Sequence, residues 1–375
     1  MKNSLKINDI LVEMQDINIL NILSFLAPSI IYYGVKKEIS PSYNLRKDFK
    51  IKNANTKILP IEVIRKNNDI DESRLLQQKY GSSIVEFFKT ISQAIPNEDL
   101  TLLFNNFNTL TTTTKNFKLI NRIWGNRTAG QYIVEDNAIE VSDKNYESTI
   151  DHELFHASST IVDSETGIIF TGFAQIMNEE QKIGIGLNEG YTQYLTEKYF
   201  GKKKKMLKAY KYEKHIAYAI EMIVGEKQMQ SLYFNANLKG LVDVLKQYNT
   251  DKKIYDFITT LDLVNKYLQQ NINTPKAVEI MVSSLTFINY FLLETFANKI
   301  IVENPDRKDF RTLISENKEL LTNFIGILPH QVKFKKKSFK LLDEDTLGDK
   351  LIDIVLSYEN NQKVNENIGN KRKKY

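Results

Sequence analysis

Two of the chain's four histidines stand four residues apart, in Asp151-His152-Glu153-Leu154-Phe155-His156. On an α-helix, residues i and i+4 lie one above the other, so this spacing aims both imidazoles at a common point. No other stretch constrains the fold as much. It asks for a helix with one face reserved for the rings and with Leu154 and Phe155 buried behind it. No proline interrupts Lys144 to Val162, so the backbone offers no obstacle to that helix.

Neutral imidazoles suit Zn²⁺, which imposes no geometry of its own. Glu153 follows His152 by about 100° around the helix axis, where its carboxylate reaches a water on the metal without binding the metal. A metal ion lowers the pKa of such a water to about 7 and a carboxylate base takes its proton, the arrangement of a metal-assisted hydrolase. Two imidazoles leave zinc short of a third protein ligand. The chain has no cysteine, which excludes a thiolate ligand and a disulfide scaffold alike. A carboxylate is one of the known completions. Glu189 lies downstream in Gly186-Leu187-Asn188-Glu189-Gly190-Tyr191, a stretch that reads as the start of a helix. Gly190 beside it would let that helix approach the first one closely. Thr192 and Gln193, a turn further on, are candidates to orient the imidazoles.

His152-Glu153-x-x-His156 followed by Asn188-Glu189-Gly190 resembles the gluzincin metallopeptidases, over roughly residues 130–200. The resemblance implies one Zn²⁺ per chain, with His152, His156 and Glu189 as ligands and a fourth position open to water. It implies Glu153 as general base and later as proton shuttle to the leaving amine. It also implies an oxyanion stabiliser, a Tyr or His from the helical half. His215, Tyr210 and Tyr212 follow the second motif, and Tyr233, Tyr248 and Tyr255 lie further on; His215 is carried forward as the catalytic candidate. His330, after Pro329, shows no partner in the sequence pattern. The Gly-x-Met-Glu-Asn type segment that captures a free amino terminus in gluzincin aminopeptidases is absent, which favours an endopeptidase or a processing enzyme.

Composition, 42% apolar and 26% charged, is that of a globular chain long enough for two or three subdomains. The net charge of +5 is unevenly placed, with basic runs at Lys202–Lys205, Lys335–Lys337 and Lys371–Lys374, the last including Arg372. No aromatic-interleaved basic motif accompanies them, so they read as solvated runs and no nucleic-acid partner is expected. Met1–Asp16 mixes charges of both signs and lacks the order of an export signal, which points to a cytoplasmic location. Ile17–Val35 is uncharged, yet Asn18, Asn21, Ser24, Pro28, Ser29 and Gly34 make it weakly hydrophobic. A buried helix ending near Pro28 and a strand over Ile30–Val35 fit it better than a membrane span, which stays the alternative.

From Asp71 the pattern is helical, with a break or kink at Gly81, and a further helix follows Pro96. Thr111–Thr114 reads as a polar linker. Gln131–Val134 and Ala138–Val141 flank Glu135-Asp136-Asn137 as a hairpin. The resemblance implies that the strand around Ile139–Val141 is an edge strand that takes a peptide in extended form. Ser158–Gly186 reads as a hairpin insertion. Beyond Glu189 helices are expected at 187–199, 205–224, 226–247, 251–270, 275–302 and 345–358. Ile280–Leu293, uncharged but short, reads as a core helix.

The expected fold is α+β: a zincin-like core with a small mixed sheet and edge strand, followed by a mainly α-helical C-terminal part. The expected division is a helical region over 1–120, a catalytic core over 121–200, a helical domain over 201–358 and a disordered basic tail over 359–375. The expected activity is zinc-dependent hydrolysis of a peptide or protein substrate. A metal-binding, non-proteolytic regulatory or interaction protein is the alternative.

Overall fold

The computed structural model describes residues 50–54, 70–117, 129–143, 146–178, 181–201, 209–269, 274–334, 337–342 and 351–356. The expectations for 17–35 and for the basic tail lie outside the described residues. The protein is α+β and mostly helical, with small sheets. It divides into two compact units. Among the described residues, one comprises those up to Val244 with those from Ile258 to Thr274, and the other Leu245–Phe257 and those from Pro275 on.

The unit that holds both motifs begins with α1 (Glu72–Leu76), α2 (Gly81–Ala94) and α3 (Thr101–Thr109). The break at Gly81 has a steric cause: a Cβ there would lie 1.8 Å from the Leu75 carbonyl oxygen. Three strands follow: β1 (Thr111–Thr114), β2 (Gly130–Ile133) and β3 (Ala138–Val141). They form a mixed sheet in the order β1-β3-β2, with β1 parallel and β2 antiparallel to β3. Two expectations are corrected here. The threonine run is a strand and not a linker, since its β-branched side chains fit a pleated surface. β3 is paired on both sides, so among the described residues the sheet edge belongs to β2 and β1.

The helix α4 (Tyr146–Ser158) packs on β2 and β3 and is flanked by α2 and α3. The segment after it is an antiparallel meander of four strands: β4 (Thr160–Val162), β5 (Ile169–Thr171), β6 (Ala174–Ile176) and β7 (Lys182–Ile183). This extends the expected hairpin by a strand on either side. Next come α5 (Ile185–Phe200) and α6 (Lys211–Val224), which pack closely together. The stretch expected as one helix over 226–247 is two, α7 (Glu226–Phe234) and α8 (Leu238–Leu245). Between them Ala236 takes a left-handed φ of 51°, which no continuous helix accommodates. The expected boundaries at 120 and 200 do not bound compact units, because α2 and α3 pack on α4, and α6 on α5.

An aromatic cluster forms the core behind α4. Phe155 meets Phe87 edge-on at 4.8 Å between centroids, and Phe87 stacks on Phe200 at 5.5 Å. Phe234 closes on Phe155 at 6.2 Å. All four are fully buried.

The helix α9 (Asp251–Gln269) runs from the other unit, through Phe257, into this one. In that other unit α10 (Pro275–Val302) is the long central element, followed by α11 (Phe310–Glu316), α12 (Lys318–Ile327) and a hairpin of β8 (Gln331–Phe334) and β9 (Lys337–Lys340). Phe296 stacks on Phe324 at 4.1 Å, and Phe257 on Phe291 at 4.5 Å. Among the described residues α10 alone is long and apolar enough to cross a membrane, but 61% of that apolar window is buried inside the protein. Residues 351–356 are helical, within the range expected for the last helix.

Candidate metal centre

Residues Asp151–Thr160 are buried without exception, so α4 carries its histidines into the interior of its unit. The helix is held at its C-terminal end by Asn106 on α3. The Asn106 amide donates to the Ala157 carbonyl at 2.7 Å, one of those that a helix end leaves without partners, and to the Thr160 carbonyl at the start of β4 at 2.8 Å. Thr160 Oγ1 donates to the His156 carbonyl at 2.6 Å.

The second motif lies on α5, and its Glu189 meets the two histidines. His152 Nε2 is 3.2 Å from Glu189 Oε2 and 3.2 Å from His156 Nε2, while His156 Nε2 is 3.6 Å from Glu189 Oε2. Donors bound to zinc at about 2.0–2.1 Å on the corners of a tetrahedron stand about 3.3 Å apart. The three atoms therefore have the spacing of one face of such a tetrahedron, and this group could hold a metal ion. Three nitrogen and oxygen donors suit zinc among several divalent metals.

Gly190 does allow a close helix approach, but to a different neighbour than expected. A Cβ at Gly190 would lie 2.3 Å from the Glu213 carbonyl oxygen on α6, so the glycine seats α6 and not α4 against the helix that carries Glu189.

Glu153 lies beside the triad and against β2: a Cβ at Gly130 would stand 3.2 Å from Glu153 Oε1. Burial raises the Glu153 carboxyl to about 7; the neighbouring Glu189 pushes it the same way, while His152 and the Tyr132 backbone N–H oppose. For Glu189 burial also favours the neutral form, but His156 and His152 outweigh it and hold the carboxyl well below the usual range.

The partners of the imidazoles differ from those expected. Thr192 Oγ1 shares a 2.6 Å hydrogen bond with Tyr233 OH, and the Gln193 amide donates to Glu197. Asn188 takes that place. Its Oδ1 accepts from the Phe173 N–H at 3.2 Å and its amide nitrogen lies 3.3 Å from His156 Nδ1. Gly172 is needed next to it, since a Cβ there would fall 2.2 Å from Asn188 Oδ1.

His215 is not brought to the triad. It lines a surface pocket with Tyr194, Glu197, Lys198, Lys214 and Tyr218, and burial together with Lys214 and Lys211 lowers its pKa. Of the other candidates, Tyr210 stands at the triad. Its ring stacks on His152 with centroids 5.4 Å apart and planes 9° from parallel. Burial raises its phenol well above the usual value, and the Glu189 and Glu153 charges and a hydrogen bond to Glu189 act in the same sense. Tyr210 begins α6 in a left-handed conformation, φ 50° and ψ 40°, a strain of the kind that gathers at functional sites. Tyr248 and Tyr255 belong to the other compact unit.

Glu213, in the first turn of α6, is fully buried, and neither carboxylate oxygen hydrogen-bonds to another side chain among the described residues. Burial raises its pKa to about 7 and the Glu189 charge adds to the shift, while the backbone N–H groups of Glu213 and Tyr212 oppose it.

Compared with protein families, with curated proteins and with solved structures, the chain shows no match.

Proposed function

We propose that the chain is a zinc-dependent metallopeptidase, of endopeptidase or processing type, acting on a peptide or protein substrate. The observation that carries this reading is the near-tetrahedral spacing of His152 Nε2, His156 Nε2 and Glu189 Oε2, with the carboxyl of Glu153 beside them. Zinc held by these three residues would act as Lewis acid toward the attacking water and the scissile carbonyl.

Glu153 is the proton carrier. A carboxyl raised to about 7 is basic enough to take a proton from the attacking water as the new C–O bond forms. The same group returns that proton to the amine nitrogen as the C–N bond breaks. Tyr210, whose phenol stays protonated at neutral pH, is the donor to the oxygen on which charge develops. The outer edge of β2, next to Glu153, offers backbone groups to an extended substrate.

The test is twofold. Purified protein is assayed for bound zinc, and a peptide library is exposed to wild type and Glu153→Gln. The reading expects about one zinc per chain and cleavage by the wild type alone. Zinc binding without cleavage of any peptide would leave the non-proteolytic alternative, and no zinc uptake would remove both.

A further inference from the structure

We infer that Asp262 is a positioning residue for the metal ligand Glu189, an inference that rests on the metal-binding reading above. The helix that carries Glu189 starts without a cap of its own. Its N-cap residue is Gly184, at φ 82°, which has no side chain to accept from the first turn. A helix start leaves up to four N–H groups without partners, and leaving them unmet inside a protein is costly. Asp262, on the part of α9 that belongs to the same unit, supplies the missing acceptors. Its Oδ2 accepts from the Gly184 N–H at 2.9 Å and its Oδ1 from the Gly186 N–H at 2.8 Å. The carboxylate is buried, and as an anion it also suits the positive end of the helix dipole.

The glycines make this contact possible. A Cβ at Gly186 would lie 2.6 Å from the Leu261 carbonyl oxygen, and a Cβ at Gly184 would lie 2.0 Å from that of Phe173. The start of α5 is thus seated directly on backbone and clamped by two charge-assisted hydrogen bonds. Glu189 sits one turn beyond this clamp, on a helix too stiff to flex within a turn. A displacement of the helix start therefore carries over to Glu189 Oε2, whose 3.2 Å and 3.6 Å spacings from the histidines a metal would require. Asp262 acts on the centre through this geometry, without touching the metal or the reacting atoms.

The experiment measures zinc affinity by competition with a chromophoric chelator, together with the rise in Tm that zinc produces, on the full chain. Asp262→Asn replaces one acceptor by a donor. Its zinc affinity is expected to fall roughly 10–100-fold, and its zinc-induced Tm rise to shrink. A merely structural role would lower the Tm with and without zinc alike and leave the rise unchanged. Asp99→Asn serves as the comparison: it weakens the bonds from Ser231 and Asn235 in the same unit and is expected to lower Tm without changing zinc affinity. Wild-type affinity in folded Asp262→Asn would overturn the inference. Should that variant not fold, Gly186→Ala shifts the same helix start with the carboxylate in place, and wild-type affinity there overturns it equally. A wild type that takes up no zinc is a separate result, which removes the metal reading itself.

Discussion

His152 Nε2 and Glu189 Oε2 stand 3.2 Å apart across 37 residues of chain, brought together by two helices whose ends are each held from elsewhere in the fold. If that meeting makes a metal centre, removing one ligand leaves two. Glu189→Ala is expected to lose at least about 100-fold in zinc affinity, more than the loss of an outer-shell partner causes. The same contact makes metal a stabiliser of the fold. Zinc at about 1,000 times its Kd should add about 4 kcal/mol to unfolding, and a chelator should remove it. Chelator competition and calorimetry read the two effects.

Glu153→Gln separates binding from chemistry. The substituted amide keeps the size of the side chain but cannot accept a proton, so zinc affinity should stay close to wild type while cleavage falls about 10²–10⁴-fold. An equal fall in zinc affinity would mean that Glu153 acts on the metal site and not on the water.

Asn188 joins the His156 ring to the Phe173 backbone. Asn188→Ala removes both contacts and leaves all three donors in the sequence. The expected result is a 10-fold to roughly 100-fold loss of zinc affinity with the stoichiometry unchanged. Titration at saturating zinc checks the stoichiometry, and competition checks the affinity.

Gly190 has no room for a methyl group, because the Glu213 carbonyl oxygen would lie 2.3 Å from it. Gly190→Ala must push α6 away from α5, and overpacking of this kind costs about 1–3 kcal/mol. Urea unfolding should show a lower midpoint with an unchanged slope. A variant as stable as the wild type would show that the two helices separate freely.

Glu213 sets a pH dependence. Its folded-state pKa is raised to about 7 from a usual 4.5, so the native state keeps a proton that the unfolded chain releases between these values. Stability contributed by this group is therefore lost as pH rises from about 4.5, and the loss levels off above about 7. Glu213→Gln escapes it. The variant should match the wild type near pH 4.5 and exceed it by about 3 kcal/mol at pH 8. Unfolding at both pH values tests this, and a variant that gains nothing at pH 8 would show that the ionised carboxylate finds a partner.

The helices and the two histidines were legible for one reason: their signals are local. The i, i+4 spacing of His152 and His156, the Pro275 start of α10 and the period of the apolar residues all act within a few turns of chain. The hairpin of β2 and β3 was legible in the same way, from alternation on either side of Glu135-Asp136-Asn137. Even Asn188 stood in plain sight next to Glu189, although its partner is a backbone N–H in another element.

Tertiary structure decided the rest, because long-range packing leaves no mark of fixed period. Which strand forms the sheet edge depended on Thr111–Thr114 pairing with Ala138–Val141, a parallel contact that nothing local announces. Tyr210 lies at His152 and His215 does not, because the first stands at the start of α6 and the second a turn and a half further on, turned to another face. Asp262 caps the Glu189 helix from 76 residues away through hydrogen bonds to backbone, which carries no side-chain signature. The chain by itself thus determined the donor chemistry and the helices that bear it. The packing of α6, α9 and the sheet around those helices determined where each donor points and which groups surround it.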